Sequence, residues 1–247
     1  DLLAQQAGTP LAAYLSNHEY RRQLPVNTML GPAISVSEAA IADAIAAGFA
    51  VIKLKVGLAS ITEEIDALRR VAAQLPSGLT LRLDANRAWS MAETKAFCTA
   101  LSGLPIESLE EPLAQPDPGH LRELGRQLPF HLAVDESWRQ FDPEAFFEQP
   151  PVRRLVLKLA PCGGLLPALA LARRAAAASV ECVVTTGLDS ACGTLAAAHL
   201  AAAIGNGLVH GLATTMWVAE DTGNPPAIEA GRLILPEAGG LGFSPRP

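Results

Sequence analysis

The feature that most constrains the fold of this chain is a regular alternation of short apolar runs with alanine- and leucine-rich helical patterns. Strands are predicted at 24–30, 50–56, 79–85, 107–112, 130–136, 152–159, 180–186 and 207–213. Helical patterns between them include 37–48, 61–75, 92–103 and 165–178. Strands that alternate with helices are typical of crossover units in a parallel sheet. Eight such strands in 247 residues predict an α/β fold, a closed (β/α) barrel of the modified TIM type.

Composition and charge exclude several classes of function. A formal net charge of −6 argues against a nucleic-acid partner, which requires a basic surface. No run approaches the 18 or more apolar residues of a membrane span, so no membrane partner is predicted. Four scattered cysteines without a C-x-x-C pair, together with the lack of a leader pattern, favour a cytoplasmic protein. The oligomeric state is left open.

Alternation within the predicted strands places charged side chains on one face. In the run 50–56, Ile52 and Leu54 lie on one face, while Lys53 and Lys55 lie on the other. The apolar face is expected to pack against the helices, so the charged face points into the barrel. Because an unpaired charge is very costly there, these residues must pair or bind a metal.

Five charged residues recur at the ends of consecutive predicted strands. They are Lys55, Asp84, Glu110, Asp135 and Lys158, separated by 29, 26, 25 and 23 residues. Each interval is close to one strand–helix unit, and barrels of this kind place their chemistry at the carboxyl ends of the strands. Any one of these residues alone favours a structural ion pair, but the five together favour a catalytic site.

Three neighbouring carboxylates indicate a hard divalent cation. Asp84, Glu110 and Asp135 would repel one another without one, and all-oxygen ligation favours Mg²⁺, with Mn²⁺ as a substitute. A lysine near a cation can have its pKa lowered until it acts as a base. The predicted chemistry is removal of the α-proton of a substrate carboxylate, a small-molecule partner, with stabilisation of the resulting enediolate.

Five segments resemble the enolase superfamily, in its muconate-lactonizing subgroup. They are KLKVG (53–57), LRLDANRAW (81–89), LEEP (109–112), VDES (134–137) and LKLAPCGG (157–164). The resemblance extends over essentially the whole chain and implies the barrel of the enolase C-terminal type. Within the subgroup, segments 83–89, 109–112 and 135–138 are most similar to the o-succinylbenzoate synthases of menaquinone or phylloquinone biosynthesis.

The resemblance implies a role for each charged residue. Asp84, Glu110 and Asp135 would bind Mg²⁺, and Lys55 would abstract the α-proton of 2-succinyl-6-hydroxy-2,4-cyclohexadiene-1-carboxylate. Lys158 would stabilise the enediolate as an ammonium. Lys55 would then protonate the leaving hydroxide to give water and o-succinylbenzoate. Lys53 would help to lower the pKa of Lys55, since like charges disfavour protonation.

The resemblance also implies substrate-binding residues and a domain organisation. Asn86, Thr185, Thr186 and Gly187 are candidates for contacts with the substrate. Family members carry an N-terminal capping domain that closes over the site. Residues 1–23 are therefore expected to join an absent capping domain, and residues 24–247 to form the catalytic barrel with a wrapping tail. Without the cap, we expect retained Mg²⁺ binding but slow turnover.

Other activities on the same scaffold remain open. These are an N-acylamino-acid racemase, a dipeptide epimerase and a cycloisomerase. Dipeptide epimerases usually show an Asp-x-Asp signature near the last strand, whereas the segment 216–224 has only Asp221. A barrel without activity that serves as a binding protein is a further alternative, which predicts loss of at least one of the five charged residues. All five are present.

Overall fold

The computed structural model describes residues 1–16 and 20–246 of the chain. In these residues the helices are α1 (Leu2–Gln6), α2 (Leu11–Leu15), α3 (Glu38–Ala46), α4 (Ile61–Ala72), α5 (Met91–Ala100), α6 (Pro118–Gly125), α7 (Pro143–Glu148), α8 (Leu165–Ala177) and α9 (Ala191–Ile204). The strands are β1 (Gln23–Pro25), β2 (Thr28–Pro32), β3 (Val51–Lys55), β4 (Thr80–Asp84), β5 (Ile106–Glu110), β6 (His131–Val134), β7 (Arg154–Leu157), β8 (Glu181–Val184), β9 (Ile228–Glu229) and β10 (Arg232–Ile234). Residues 17–19 of the predicted N-terminal segment lie outside the described residues.

The main sheet follows the order of the chain. Its strands run β2-β3-β4-β5-β6-β7-β8, and the pairs from β3 to β7 are parallel. Six of the helices, α3 to α7 and α9, follow a residue whose side chain accepts a backbone N–H of the first turn. Ser60 and Ser90, for example, form capping boxes with Glu63 and Glu93 at the starts of α4 and α5. These caps fix where each loop after a strand ends.

The contacts divide the chain into two compact units. One unit comprises Met29–Leu155 and Ala175–Glu181 and contains strands β3 to β6 with helices α3 to α7. Its core is formed by the apolar faces of the strands, where Ile52, Leu54, Leu81, Leu83 and Leu109 are completely buried. This arrangement is the one expected from the alternation of apolar and charged residues.

The other unit comprises Asp1–Thr28, Val156–Arg174 and Cys182–Pro247. It contains a small antiparallel sheet in the order β1-β10-β9 and helix α9, which ends at Gly205 in the left-handed conformation. The unit boundaries fall within β2, β7, α8 and β8, so none of them lies at residue 23, where the sequence predicts one. That predicted division stays a prediction.

Two strand predictions differ from the structure, and both differences lie in this unit. The run 24–30 is divided between β1 and β2, because the N–H of Val26 donates to Gly231 whereas that of Asn27 donates to His210. The run 207–213 is not a strand and makes only isolated bridges, His210 to Val26 and Gly211 to Thr185. A Cβ at position 211 would lie 2.4 Å from Oγ1 of Thr185, so this close approach requires glycine.

A membrane-spanning helix is not found in the described part of the chain, since no helix there has both the length and the apolar character required.

Candidate active site

Strand β3 carries the two lysines of the predicted site. Ile52 and Leu54 are fully buried on its core face, and Lys53 and Lys55 alternate with them on the other face. The side chain of Lys53 is 13% exposed and that of Lys55 is 30% exposed. Lys55 is the last residue of the strand, so it is the lysine nearer to the carboxyl end and to solvent.

The sheet register places the predicted residues side by side. Lys55 pairs with Asp84 at the end of β4, and Asp84 pairs with Glu110 at the end of β5. Glu110 pairs in turn with Ala133 of β6, and Asp135 follows two residues later on the same face. The three carboxylates are all buried. Four of the five predicted charged residues therefore lie at one edge of the sheet, within one unit.

The lysines and carboxylates form a compact network. Lys53 Nζ donates to Oε2 of Glu110 at 2.6 Å and lies 2.9 Å from Oδ2 of Asp84. Lys55 Nζ donates to the same Asp84 oxygen at 2.6 Å and to Oδ1 of Asn86 at 2.6 Å. Asn86, a predicted substrate-binding residue, thus contacts the predicted base directly. Asp84 Oδ1 also accepts the backbone N–H of Asn86 at 3.1 Å.

The direction of the pKa shift differs between members of this network. Burial raises the pKa of Glu110, the neighbouring Asp84 and Asp135 raise it further, and Lys53 opposes them. Burial also acts to raise the pKa of Asp84, but Lys53 and Lys55 outweigh it and the pKa is lowered. For Lys53, burial alone would lower the pKa, whereas the attraction of Glu110 and Asp84 raises it above its usual value. Lys53 is therefore held as an ammonium, and Glu110 is less compensated than Asp84.

The donor set agrees in chemistry with a divalent cation. Three buried carboxylates face two ammonium groups, and the mutual repulsion at Glu110 is what a hard cation would relieve. As the side chains stand, the described residues contain no group of three or more acidic, His or Cys side chains spaced to hold a metal. The lysines instead occupy the carboxylate oxygens of Asp84 and Glu110. Metal binding would require these ammonium groups to move.

Glu111 is a residue of this region that the sequence did not single out for the site. Its side chain is buried, and its Oε1 accepts the backbone N–H groups of Asp135 at 2.7 Å and Ser137 at 2.9 Å. Burial raises its pKa against these hydrogen bonds. Its backbone is left-handed, with φ of 47°, so the side chain following Glu110 turns toward β6. Glu111 therefore fixes the backbone that carries Asp135.

A second buried carboxylate holds the loop after Lys55. Glu64 of α4 is completely buried and accepts the backbone N–H groups of Gly57 and Leu58, both at 2.8 Å. Gly57 has φ of +85°, and a Cβ there would lie 2.3 Å from Cβ of Ala88. The loop after β3 thus packs directly against the loop after β4, which carries Asn86.

The remaining predicted residues belong to the other unit. Lys158 follows β7 directly, and Gly187 is exposed. The hydroxyls of Thr185 and Thr186 donate to the carbonyl oxygen of Gly211 at 3.0 and 3.1 Å, so both are engaged within their own unit. Their roles stay predictions.

A second charge network joins β4, β5, β7 and β8, toward the amino-terminal halves of these strands, and its arginines are buried whereas its glutamates are partly exposed. Arg82 donates to both carboxylate oxygens of Glu107, at 3.0 and 3.2 Å, and Arg154 also donates to Glu107. Arg154 binds Glu181 at 2.8 Å as well, and Ser108 donates to Glu107 at 2.7 Å. The expectation that inward charges must pair is met here by ion pairs. The spacing of the strand ends does not predict this network, because its members lie within the strands.

Comparison with known proteins gives a family for this arrangement. The Enolase C-terminal domain-like family matches residues 36–247. Among curated relatives, an L-Ala-D/L-Glu epimerase of Francisella tularensis subsp. novicida is 30% identical, over 99% of this chain and 69% of the relative. An o-succinylbenzoate synthase of Mycobacterium tuberculosis is 35% identical, over 90% of this chain and 68% of the relative.

Solved structures agree with the family. A dipeptide epimerase from Enterococcus faecalis V583 superposes with a TM-score of 0.88 at 30% identity, over 98% of this chain and 71% of the other. A muconate cycloisomerase from Pseudomonas fluorescens gives a TM-score of 0.86 at 26% identity, over 98% and 68%. The predicted fold class, a barrel of the enolase C-terminal type, is confirmed.

Proposed function

Since this chain belongs to the Enolase C-terminal domain-like family, we propose that it removes the proton α to the carboxylate of a small-molecule substrate. The observation that carries the proposal is the sheet register, which sets Lys55 beside Asp84 and Asp84 beside Glu110 at one edge of the sheet. A base and an acidic, cation-attracting group are the two components that such a reaction requires.

We assign the metal site to Asp84, Glu110 and Asp135, with Mg²⁺ as the cofactor and Mn²⁺ as a substitute. Sites of the enolase superfamily combine a lysine or histidine base with one or two Mg²⁺ ions. When bound, the cation supplies positive charge that stabilises the charge developing on the substrate carboxylate. Glu111 keeps the backbone of Asp135 in place for this role.

Lys55 is the proposed base. It is more exposed than Lys53 and lies at the very end of β3, where substrate reaches the sheet edge. Proton transfer requires a free lone pair on the amine of Lys55, and a neutral amine keeps two N–H donors for Asp84 and Asn86 while that lone pair accepts the α-proton. Lys53, with its raised pKa, stays an ammonium that compensates Glu110 and Asp84.

We propose dehydration to o-succinylbenzoate as the specific reaction. Lys55 takes the α-proton of the cyclohexadiene carboxylate and returns it to the departing hydroxide, so one water leaves and the ring becomes aromatic. The predicted cation for the enediolate is Lys158. The choice of dehydration as the reaction is supported by the 35% identity to an o-succinylbenzoate synthase.

The hydrogen bonds of the Asp221 carboxylate also support dehydration over dipeptide epimerisation. Both oxygens of its carboxylate accept the N–H of Ala191, at 2.8 and 2.9 Å, at the start of α9. This carboxylate therefore accepts from the first residue of α9, and the Asp-x-Asp pair typical of dipeptide epimerases is missing from segment 216–224, whose acidic residues are Glu220 and Asp221.

Dipeptide epimerisation is the second candidate. It is favoured by the 30% identity over 99% of this chain to the Francisella epimerase and by the TM-score of 0.88 to the Enterococcus structure. Epimerisation needs only proton removal and return at the same carbon, which the lysines also permit.

The proposed partners are small carboxylates, with no nucleic acid or membrane partner, and the proposed location is the cytoplasm. These proposals rest on the acidic composition and on the absence of a cysteine framework in the sequence.

Substrate choice is tested by turnover with Mg²⁺. The cyclohexadiene carboxylate is compared with a panel of N-acylamino acids and dipeptides, after EDTA treatment and after Mg²⁺ is restored. We expect Mg²⁺-dependent dehydration with the highest kcat/KM in the panel. A higher kcat/KM for a dipeptide would select the epimerase, and no α-proton exchange with any substrate would contradict proton abstraction altogether.

The role of Lys55 is tested by Lys55→Arg, which keeps the positive charge but removes the base, because arginine is not deprotonated in proteins. We expect a loss of about 10²–10⁴-fold in α-proton exchange with deuterated solvent. Lys95→Arg is the matched control, since Lys95 forms only an exposed ion pair with Glu123. Retained exchange in Lys55→Arg would exclude Lys55 as the base.

A further inference from the structure

A cavity of about 610 Å³ lies at the opposite end of the strands from the candidate active site. Its walls come from the connections before β6, β7 and β8, at residues 128–132, 150–153 and 178–179, and from the end of α6. His131, at its rim, is the first residue of β6, whereas Asp135 follows the last. His131 and Asp135 are four residues apart in sequence, which corresponds to about 13 Å along a strand. The cavity is therefore a separate site within the same unit.

The charge of this cavity is uniformly positive. Arg122, Arg126, His131 and Arg153 line it, and none of its lining residues is acidic. In the described part of the chain, the side chains of Arg126, His131 and Arg153 form no ion pair or hydrogen bond. Arg122 donates to the carbonyl oxygen of Gln149 at 3.0 Å and is thereby held at the wall. In a chain of net charge −6, this cluster is an uncompensated basic surface.

The charge of the neighbouring arginine, unlike that of Arg153, is compensated by carboxylates. Arg154, next to Arg153 in sequence, binds Glu107 and Glu181 and is buried. Arg153 has no such partner and is exposed toward the cavity. Two guanidinium groups that are adjacent in sequence thus have opposite environments, and of the two only that of Arg154 forms ion pairs.

The walls between the arginines are apolar and rigid. Leu128, Pro129, Phe130 and Pro150 line the cavity. Its volume lies within the range of about 300–1,000 Å³ typical of small-molecule sites. Guanidinium groups match the oxygens of a phosphate through paired N–H donors, and several of them favour a doubly charged group.

We propose that this cavity, which we call the amino-end cavity, binds an organic phosphate whose apolar or aromatic part lies against Phe130. The phosphate contacts Arg126 and Arg153. This binding is independent of the reaction proposed for the carboxyl ends of the strands.

The probe for this proposal is phenyl phosphate, measured by isothermal titration calorimetry at constant ionic strength. Divalent cations are removed with EDTA and the EDTA is then dialysed away, so that the candidate active site holds no metal that would attract anions and no polyanion competes for the arginines. We expect one saturable site per chain. Inorganic phosphate and benzoate should each bind at least tenfold more weakly, because one lacks the aromatic part and the other the second charge.

Variants locate the site. Arg126→Gln combined with Arg153→Gln should weaken phenyl phosphate binding at least tenfold. Arg69→Gln combined with Arg70→Gln removes the same charge from the exposed face of α4 and should leave binding unchanged. Phe130→Ala should weaken phenyl phosphate but not inorganic phosphate, which keeps the proposal testable if the double variant is unstable.

Several results would overturn the proposal. These are the absence of saturable binding, equal weakening in both arginine double variants, inorganic phosphate binding as tightly as phenyl phosphate, and benzoate binding as tightly as phenyl phosphate. The first two exclude the cavity as an anion site, and the last two exclude an organic phosphate as its ligand.

Discussion

Two charge networks, one toward the amino-terminal half of the sheet strands and one at their carboxyl end, differ in how their carboxylates are compensated. At the amino-terminal half, two arginines face two glutamates, and the pKa of Glu107 falls to about 2, because Arg82 and Arg154 outweigh the effect of burial. At the carboxyl end, two lysines face three carboxylates, and the pKa of Glu110 rises.

The comparison indicates how the type of basic residue in a charge network determines what the network can do. Arginine is permanently charged and fixes a pair in one geometry, whereas lysine can lose its proton and release its partner. A balanced arginine network is therefore suited to stability. A lysine network in which burial and neighbouring carboxylates raise the pKa of Glu110 is suited to binding a cation and moving a proton.

The largest expected effect is on turnover, at the carboxyl end. Glu110→Gln removes a carboxylate that is less compensated than Asp84, so we expect a loss of about 10³-fold or more in kcat together with loss of Mg²⁺ binding. The melting temperature should stay the same or rise, because the repulsion from Asp84 and Asp135 disappears. Kinetics, calorimetry and thermal unfolding measure this. A clear drop in the melting temperature would indicate that this network is structural as well.

The next effect is on stability, at the amino-terminal half. Glu107→Gln leaves the guanidinium groups of Arg82 and Arg154 without their shared partner, and breaking such a buried pair costs about 3–5 kcal/mol. Urea unfolding measures this, and kcat of the folded fraction should not change. Glu181→Gln is the matched control, since its side chain is 41% exposed and it should cost at most about 1 kcal/mol. Equal costs for the two variants would refute the balanced network as the source of stability.

A smaller effect separates positioning from stability. Glu111→Ala leaves the N–H groups of Asp135 and Ser137 without their acceptor, which costs about 1–3 kcal/mol. We also expect about 10–100-fold weaker Mg²⁺ binding, as for other residues that support metal ligands. Glu111→Gln keeps an acceptor oxygen and should restore most of the affinity.

Glu64→Ala is the control for this variant. Glu64 is an equally buried carboxylate that holds backbone N–H groups but supports no proposed metal ligand. It should lose stability while Mg²⁺ affinity by calorimetry is retained. If both alanine variants weaken Mg²⁺ binding alike, Glu111 has no specific positioning role.

The smallest effect is the pH dependence of stability. The pKa of Glu107 is lowered in the folded state, so folding favours its carboxylate, and the unfolded chain binds a proton first as pH falls. Its contribution is complete above the unfolded value of 4.5 and is lost as pH falls from there toward about 2. The difference in unfolding free energy between the protein and Glu107→Gln should therefore shrink from pH 6 to pH 3. A constant difference would show that Glu107 is not the titrating group.

Much of the candidate site could be predicted because period and spacing are properties of the sequence. The sequence shows the alternation of Lys53 and Lys55 with Ile52 and Leu54. It also shows the separation of 29 residues between Lys55 and Asp84. Strand pairing then places these residues together, since parallel strands in chain order bring their carboxyl ends to one edge.

The contacts that the sequence did not reveal depend on backbone conformation. The side chain of Glu111 reaches β6 because its backbone is left-handed, which is uncommon for glutamate and is not encoded in any periodic pattern. The run 207–213 resembles a strand in its apolar residues, but Gly207 and Gly211 weaken it to isolated bridges. The partners of Arg82 and Arg154 similarly depend on a register shift between Leu81 and Arg82, which no spacing rule anticipates.

The tight contact between Gly57 and Ala88 has a consequence for how specificity in such a scaffold can change. Because a methyl group at position 57 would overlap that of Ala88, a side chain can be introduced there only together with a change in the loop after β4. We therefore expect libraries that vary position 57 while keeping Ala88 to lose stability in most members. Designs that exchange residues 56–60 and 85–90 as a single cassette should preserve the geometry of Lys55 and Asn86 while they vary the substrate pocket.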